Sequence, residues 1–199
     1  MVFYDERWDR VLKTVVKSVI ILMMCLELIL ETVSFAAPSQ FQEYQVKAAF
    51  IYNFANFVEW PAEAFPDKNS PIIVGILGEN PVTEILNSVA LEPINGRKVL
   101  PIAFGSYEEM ESCHILFIDK SEQDNMRKIF ARLKDMSILT VGDTEGFVQR
   151  GGIINFVEID NQIRFEINVD AARKARLKIS SKLLNLSRII SAQDKEVDQ

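Results

Sequence analysis

Histidine and cysteine, which often carry catalysis or bind transition metals, are nearly absent from this 199-residue chain. It has one histidine, His114, and two cysteines, Cys25 and Cys113. A zinc site needs three or four protein ligands, drawn mostly from these residue types. Cys113 and His114 are neighbours on an apolar segment with the character of a strand, where successive side chains point to opposite faces. The sequence therefore predicts no metal site and no Cys–His pair, and it favours an exposed imidazole at His114.

Signatures for phosphate and nucleic-acid binding are also missing. No Gly-Lys-Ser/Thr loop occurs, and the segment GILGENP lacks the spacing of a dinucleotide-binding loop. The four glycines of GDTEGFVQRGG are interpreted as turn residues. The formal net charge is −6, and no cluster of Lys and Arg is interleaved with aromatic residues. We therefore expect no catalytic residues, no cofactor and no nucleic-acid partner.

The first 37 residues have the layout of a secretory signal. Four basic residues precede the apolar run SVIILMMCLELIL, and Ser34 and Ala36 then occupy the −3 and −1 positions of a cleavage site. The run is shorter than the roughly 20 residues that span a bilayer. We predict a signal peptide over residues 1–37, cleaved near Ala36 or Ala37, with a retained anchor as the alternative.

The mature chain would keep a single cysteine. Cys113 then has no partner for an internal disulfide, although an intermolecular disulfide through this thiol stays open. The predicted domain covers residues 38–190, and the polar segment SAQDKEVDQ, residues 191–199, is predicted to be a disordered tail.

Apolar runs alternate with segments of helical spacing between residues 71 and 142. This alternation predicts a mostly parallel sheet with helices on both faces. Pro101 places its strand at an edge or makes it irregular, because proline cannot donate to the ladder. Ser121 is the predicted N-cap of a helix over SEQDNMRKIFARLK. We predict an α/β protein with a three-layer α/β/α sandwich.

The C-terminal part of the domain adds an antiparallel hairpin to this sheet. Two apolar runs flank Asp160 and Asn161, a favourable two-residue turn pair that sets Phe156 opposite Phe165. The second run alternates apolar and polar residues, so an edge strand with one wet face is expected. Apolar residues at helical spacing then predict a closing helix over residues 181–190.

A long apolar helix precedes the sheet. The segment VKAAFIYNFANFVEWP is predicted to be a helix that Pro61 ends. Its apolar arc covers roughly 180°, where an ordinary surface helix shows about 100°. The apolar surface beyond that of an ordinary surface helix is clearest at Phe50, Phe54 and Phe57. We expect these rings to pack against the closing helix or a second subunit, which makes them candidate partner contacts.

Polar residues at strand ends form a candidate ligand crevice. In open α/β sheets, ligands bind beyond the carboxyl ends of the parallel strands. By this analogy of fold, the candidate residues are Glu79, Asn80, Ser106, Thr140 and Asp143.

Three charged residues have more than one interpretation. Lys47 lies inside the apolar arc, where a side chain that extends to solvent is favoured over an ion pair or an anion contact. Arg164 and Glu166 share the wet face of the hairpin, where an exposed ion pair is favoured. A partner contact is the alternative for both, since arginine is enriched at interfaces.

Five segments in this order resemble the YfiR-like family of bacterial periplasmic proteins. They are VKAAFIYNFANFVEWP, CHILFI, ILTVGDTEGFVQRGGIINF, IRFEIN and LKISSKLLNLS, and the resemblance covers about residues 42–188. It implies a periplasmic α/β domain that forms a homodimer and has no catalytic role. It further implies binding to the sensory domain of an inner-membrane diguanylate cyclase, which is held inactive so that cyclic-di-GMP and biofilm formation stay low.

The resemblance leaves the partner and one regulatory feature open. The inner-membrane partner is a diguanylate cyclase or a sensor kinase. An outer-membrane lipoprotein is a further possible binding partner. The best-known members of the family carry disulfides that respond to redox state, whereas this sequence departs from them by keeping only Cys113. The alternative function is a periplasmic small-molecule-binding protein that uses the crevice at the strand ends.

Overall fold

The computed structural model describes residues 16–18, 40–89, 92–110 and 112–190. Contacts divide the chain into two units, residues 1–37 and 38–199. In the first unit, the three described residues are helical and exposed. The predicted cleavage site, Cys25 and the predicted tail lie outside the described residues. Over the described ranges, no helix is both long enough and apolar enough to cross a membrane.

A seven-stranded sheet lies at the centre of the second unit. Its strands are β2 (Ile72–Leu77), β3 (Val99–Phe104), β4 (Ile115–Ile118), β5 (Leu139–Gly142), β6 (Ile154–Ile159), β7 (Gln162–Asn168) and β9 (Arg188–Ile190). The strand order is β3-β2-β4-β5-β6-β7-β9. Every pair is parallel except β6 with β7. A separate antiparallel pair joins β1 (Val58–Glu59) to β8 (Lys178–Ile179).

Helices pack on both faces of this sheet. They are α1 (Gln40–Phe54), α2 (Val82–Ser88), α3 (Met126–Arg132), α4 (Val169–Lys174) and α5 (Ser181–Leu184). One apolar cluster joins α1, α2, α4 and α5 to the first face, and a second cluster joins α3 to the other face. The predicted α/β fold, with its mostly parallel sheet and antiparallel hairpin, is confirmed. The edge position predicted for the strand that contains Pro101 is also confirmed, because β3 is an edge strand.

The β6–β7 hairpin follows the prediction from its turn. Asp160 and Asn161 have φ values of 51° and 56°, so both adopt the left-handed conformation that a tight two-residue hairpin turn requires. Phe156 pairs with Phe165, as the sequence predicts. The edge position predicted for the second strand is wrong, because β9 pairs with β7 on its outer side.

The predicted closing helix is also wrong for most of its length. Only Ser181–Leu184 is helical, and the chain then forms β9 beside β7. The apolar spacing is the same in both arrangements, but the strand satisfies backbone groups that β7 would otherwise leave unpaired at the edge. Leu186, which the helix would have buried, is 69% exposed.

Two further helix boundaries differ from the sequence-based prediction. Helix α1 ends at Phe54 instead of reaching Pro61, because the Phe57 carbonyl accepts a hydrogen bond from Ser180 and β1 then pairs with β8. The segment predicted to be one helix from Ser121 is a 3₁₀ helix over Lys120–Asn125, and α3 follows it.

The surplus apolar surface of α1 packs against the hairpin. The rings of Phe50 and Phe54 contact those of Phe156 and Phe165, with centroid distances between 5.2 and 6.0 Å. Phe57 is half-buried and packs against the same core. The second partner of α1 is therefore the hairpin, where the sequence suggested a closing helix or another subunit.

We predict that Phe54→Ala lowers the free energy of unfolding by about 3–5 kcal/mol, because it leaves a cavity between α1 and the hairpin. Urea denaturation measures this loss. Phe41→Ala is the matched control on the same helix, since Phe41 is 54% exposed and its loss should cost no more than about 0.5 kcal/mol. Equal losses in the two variants would contradict the packing described here.

Candidate functional site

Five polar side chains from three parts of the chain meet at the carboxyl ends of β4 and β5. Helix α1 contributes residues from its first two turns, Asp119 directly follows β4, and Asp143 directly follows β5. Parallel strands bring their carboxyl ends to one edge of the sheet, and residues three or four apart share one face of a helix. We call this group the strand-end cluster: Glu43, Tyr44, Lys47, Asp119 and Asp143.

A buried ion pair is the centre of the strand-end cluster. Lys47 Nζ lies 2.7 Å from Asp143 Oδ2 and 2.5 Å from Glu43 Oε1. The Lys47 and Asp143 side chains are only 5% and 3% exposed. The favoured prediction that Lys47 extends to solvent is therefore wrong, and the ion pair that was its alternative is what forms. The lysine is held inside because Asp143 offers it a charge partner at the strand end.

A second buried contact ties α1 to β4. The Tyr44 hydroxyl donates a hydrogen bond of 2.7 Å to Asp119 Oδ2, and the backbone N–H of Ser121 donates to Asp119 Oδ1 at 3.0 Å. Burial raises the pKa of Tyr44, and its contact with the Asp119 carboxylate raises it further. The phenol therefore stays protonated and acts as a donor.

The neighbouring carboxylates favour the charged form of Lys47. Burial opposes the charge on Lys47, but the carboxylates of Asp143 and Glu43 outweigh it and raise the lysine pKa. Burial raises the pKa of Asp143 overall, although the ammonium group of Lys47 opposes that shift. A protonated amine has no free electron pair. Lys47 in this state is neither a nucleophile nor a general base.

The loops at the point where the strand order reverses are in direct contact. That point lies between β2 and β4, where ligands bind in many α/β sheets. Gly78 has a φ of +103°, and a Cβ there would lie 2.6 Å from Ser121 Oγ and 2.8 Å from the Asp119 Cβ. The Glu79 N–H also donates to Ser121 Oγ at 3.2 Å. The chain itself thus fills the space between these two strand ends.

The other predicted crevice residues do not converge on one site. The Glu79 side chain is exposed, and Ser106 is half-buried beyond the edge strand β3. Asn80 serves its own turn, because its Oδ1 accepts a hydrogen bond of 3.0 Å from the Val82 N–H. Of the five candidates, the structure places only Asp143 in the strand-end cluster.

Thr140 instead lines a groove of about 550 Å³ between α3 and α4. Its Oγ1 accepts a hydrogen bond of 3.0 Å from the Ile153 N–H, and Asn168 and Ile190 line the same groove. We call this concavity the α3–α4 groove. The sequence gives no signal for it, because its lining comes from segments that lie far apart in the chain.

Cys113 is part of the hydrophobic core. Its side chain belongs to the cluster between the sheet and α3, and burial raises the pKa of its thiol to about 12. A thiol needs access and a thiolate fraction to form a disulfide. Burial therefore opposes the intermolecular disulfide that the sequence left open at Cys113.

His114 is buried, which contradicts the exposed imidazole that the sequence favoured. The Ile73 N–H donates to its Nδ1 at 3.0 Å, and its Nε2 lies 3.1 Å from the Ala64 carbonyl oxygen. Since Nδ1 accepts, Nε2 carries the proton and donates. The imidazole stacks on Phe65 at a centroid distance of 4.3 Å. Burial lowers the pKa of His114, so the neutral ring acts as a structural bridge.

The predicted partner contacts fall into two groups. Phe54 is fully buried in its own chain and has no surface for a partner, and Phe50 and Phe57 are half-buried. Arg164 is exposed and donates a hydrogen bond of 2.6 Å to Gln162 Oε1.

Glu166 departs from the wet face predicted for its strand. It is buried, and its Oε1 lies 3.4 Å from an Arg188 guanidinium nitrogen. Its predicted pairing with Arg164 is therefore replaced by a contact with Arg188, because β9 lies beside β7. Within the described ranges, no group of three or more histidine, cysteine, aspartate or glutamate residues could hold a metal ion.

Comparisons with known proteins identify a family and a fold. A family model described as YfiR/HmsC-like matches residues 44–188. No curated protein sequence matches the chain. A conserved domain protein from Vibrio cholerae O1 biovar El Tor is similar in structure, with a TM-score of 0.50 and 12% sequence identity over 74% of this chain and 60% of that one.

A second solved structure is similar at a comparable level. It is the ABC domain in complex with L-Trp from Streptococcus pneumonia, with a TM-score of 0.48 and 12% identity over 74% of this chain and 62% of that one. The chain thus spans about three fifths of the length of each of these proteins. At such low identity, the likeness to the Vibrio cholerae protein extends to the fold alone.

We predict that Lys47→Met lowers the free energy of unfolding by about 3–5 kcal/mol, because it leaves the Asp143 carboxylate buried without its partner. The double variant Lys47→Met/Asp143→Leu should lose less of the free energy of unfolding than this single variant, because it leaves no buried carboxylate at position 143. Urea denaturation of both variants measures the difference. Lys178→Met is the control, since its ion pair with Glu59 is exposed and worth below about 1 kcal/mol. A loss at Lys47 no larger than that of the control would refute the buried pair.

The stability of the protein should depend on His114 as the pH falls. The pKa of His114 is lowered in the folded protein. Its contribution to the free energy of unfolding is therefore complete at pH values above its ordinary pKa of 6.5, and this contribution declines as the pH falls toward the pKa in the folded protein. Below pH 6.5 the unfolded chain binds a proton that the folded chain excludes. Urea denaturation at pH 7.5, 6.5 and 5.5 should show a decline that His114→Gln reduces. Identical declines in both proteins would contradict this account.

Proposed function

The chain belongs to the YfiR/HmsC-like family, and from this membership we propose that it is a non-catalytic periplasmic regulatory protein. In this proposal it binds the sensory domain of an inner-membrane diguanylate cyclase and represses it, which keeps cyclic-di-GMP low and limits biofilm formation. The observation that carries the proposal is the match of the family model to residues 44–188, which extend from α1 into β9. The family is known for periplasmic regulators of diguanylate cyclases.

The chemistry of the strand-end cluster supports a binding role. Its ammonium group and its phenol both contact carboxylates of the same cluster. The buried ion pair between Lys47 and Asp143 fixes α1 on the sheet. A rigid scaffold of this kind suits a protein that acts by presenting a surface to a partner.

We propose that the partner binds one face of the hairpin. Directly opposite residues of paired strands point to the same face, as do alternate residues along each strand. By this rule Arg164 and Val157 share a face, and Glu166 and Arg188 lie on it too. Ile159, at 47% exposure, is on the same face. We call this surface the hairpin face: Val157, Ile159, Arg164, Glu166 and Arg188.

The composition of the hairpin face fits a protein partner. Arg164 and the Arg188 side chain are exposed, whereas Glu166 is buried, so the accessible charge is positive. Ile159 supplies exposed apolar area beside this charge. Arginine and apolar residues together are typical of the residues that dominate binding energy at interfaces. The complementary surface on the cyclase would carry carboxylates around an apolar centre.

The proposal has three further parts. The protein is exported by its N-terminal segment, it acts as a homodimer, and an outer-membrane lipoprotein sequesters it to release the cyclase. A sensor kinase is the alternative inner-membrane partner. Identifying the membrane protein that binds this chain would decide between the two.

Deletion of the gene should raise cellular cyclic-di-GMP several-fold, and expression of the intact protein should bring it back to its original low level. The Arg164→Glu variant should leave cyclic-di-GMP high, because reversing an exposed interface charge weakens binding by about tenfold or more. Mass spectrometry of nucleotide extracts measures the level. Affinity purification from cross-linked membranes should recover a cyclase with the intact protein and much less with the variant.

Arg127→Glu is the matched control, since this arginine is exposed on α3 and is not one of the five residues of the hairpin face. Both variants should unfold within about 0.5 kcal/mol of the unchanged protein, because surface substitutions are usually neutral. The proposal fails if deletion leaves cyclic-di-GMP unchanged and no inner-membrane signalling protein is recovered.

A further inference from the structure

The stretch from α4 to the start of β9 is basic, although the chain as a whole is acidic. The formal net charge of the chain is −6, yet residues 171–188 contain six basic residues and no acidic residue. All six basic residues are exposed. We call this group the basic segment: Arg173, Lys174, Arg176, Lys178, Lys182 and Arg188.

The fold directs the basic segment outward. Residues 171–188 run through α4, β8 and α5 to the first residue of β9. Their apolar members Ala172, Leu177 and Leu183 are buried in the cluster on the first face of the sheet. The exposed basic side chains of the same elements therefore lie on the outer surface of this layer.

Nearby carboxylates do not cancel the charge of the basic segment. Four of them form ion pairs with it or line the α3–α4 groove beside Lys174, so the six basic side chains stay in excess. They are Glu59, Asp135, Glu166 and Asp170. Within the part of the chain that the structure describes, Lys182 forms no ion pair. Ion pairs at exposed positions are weak, so other anions can replace these carboxylates.

Exposed apolar side chains lie beside this charge. Leu186 is 69% exposed and Ile189 is 51% exposed. The Leu186 N–H donates to the Leu183 carbonyl, which continues the turn of α5 and places Leu186 near Lys182, four residues earlier. Neither Leu186 nor Ile189 lines the α3–α4 groove, so both are on the open surface.

Basic side chains around exposed apolar ones are typical of surfaces that bind an anionic bilayer. Each Lys or Arg near such a bilayer strengthens binding by about fivefold. At physiological ionic strength, charges farther than about 8 Å away are largely screened, so the acidic remainder of the chain does not prevent this. A protein partner usually holds its anchoring residues in pockets, whereas a bilayer accepts Leu186 and Ile189 without one. These observations favour a lipid surface over an acidic protein.

We propose that the basic segment binds the surface of a bilayer that contains anionic phospholipids, with Leu186 and Ile189 inserted between the headgroups. This binding is weak and reversible, because the excess charge is small and only two apolar side chains enter the interface. It confines the protein to the membrane surface, which raises its effective concentration for a partner in that membrane. The inference goes beyond the proposed function, and its test contains no cyclase.

Sedimentation with lipid vesicles tests the inference. Protein purified from cells should bind vesicles made of equal parts of phosphatidylglycerol and phosphatidylcholine, and it should bind vesicles of phosphatidylcholine alone much more weakly. Lys174→Gln/Lys182→Gln should weaken binding to the anionic vesicles by about twentyfold, because two charges that contribute about fivefold each are lost. Leu186→Gln should weaken it several-fold, because an apolar side chain no longer leaves water on binding.

Lys68→Gln/Lys98→Gln is the matched control for the loss of two charges. Both lysines are exposed, and Lys98 directly precedes β3, at the opposite edge of the sheet from β9. This variant should bind the anionic vesicles as the unchanged protein does. Lys174→Arg/Lys182→Arg should do the same, because it keeps both charges. Residues 1–37 are identical in all these proteins, so differences in binding among them do not arise from that segment.

Three outcomes would overturn the inference. The protein could fail to sediment with the anionic vesicles. The variant at Lys174 and Lys182 could lose no more binding than the control at Lys68 and Lys98, which would assign the binding to another part of the chain. The vesicles could bind nothing while cross-linking in cells recovers a membrane protein with the intact chain and not with Lys174→Gln/Lys182→Gln, which would identify the basic segment as a protein contact.

Discussion

The burial of Lys47 against Asp143 is the constraint on which the arrangement of the first helix depends. Two opposite charges are removed from water together, at a distance of 2.7 Å, where α1 crosses the carboxyl ends of the strands. Such a pair contributes little net stability, because desolvation offsets the attraction, but losing one partner is costly. We interpret the pair as the contact that fixes the position of α1 along the sheet.

The fixed position of α1 carries through to the surface proposed for partner binding. Phe50 and Phe54 lie farther along the same helix and pack against Phe156 and Phe165 of the hairpin. The opposite face of that hairpin presents Arg164. The aromatic contacts therefore support from behind the strands that would meet the partner. The apolar surface of α1 and the proposed binding surface thus lie on opposite faces of the same strands.

Local patterns predicted the parts of the fold that local chemistry determines. The Asp160–Asn161 turn set the pairing of Phe156 with Phe165, since a two-residue turn leaves a single register. The spacing of apolar residues after residue 180 is compatible with a helix and with a strand. Residues 188–190 form a strand because they pair with β7. Lys47 was identifiable as unusual from its place in an apolar arc. Its partner was not, because Asp143 lies 96 residues away and only the closed fold brings them together.

We propose that the protein regulates its partner by stoichiometric binding and not by catalysis. The most direct measurement is the turnover of GTP to cyclic-di-GMP by the membrane cyclase in vesicles, with the mature protein titrated onto the face that carries the sensory domain. If the protein acts by binding, turnover should fall, and the fall should saturate at a fixed ratio of regulator to cyclase. Unchanged turnover at saturating protein, or inhibition by amounts far below the cyclase concentration, would contradict it.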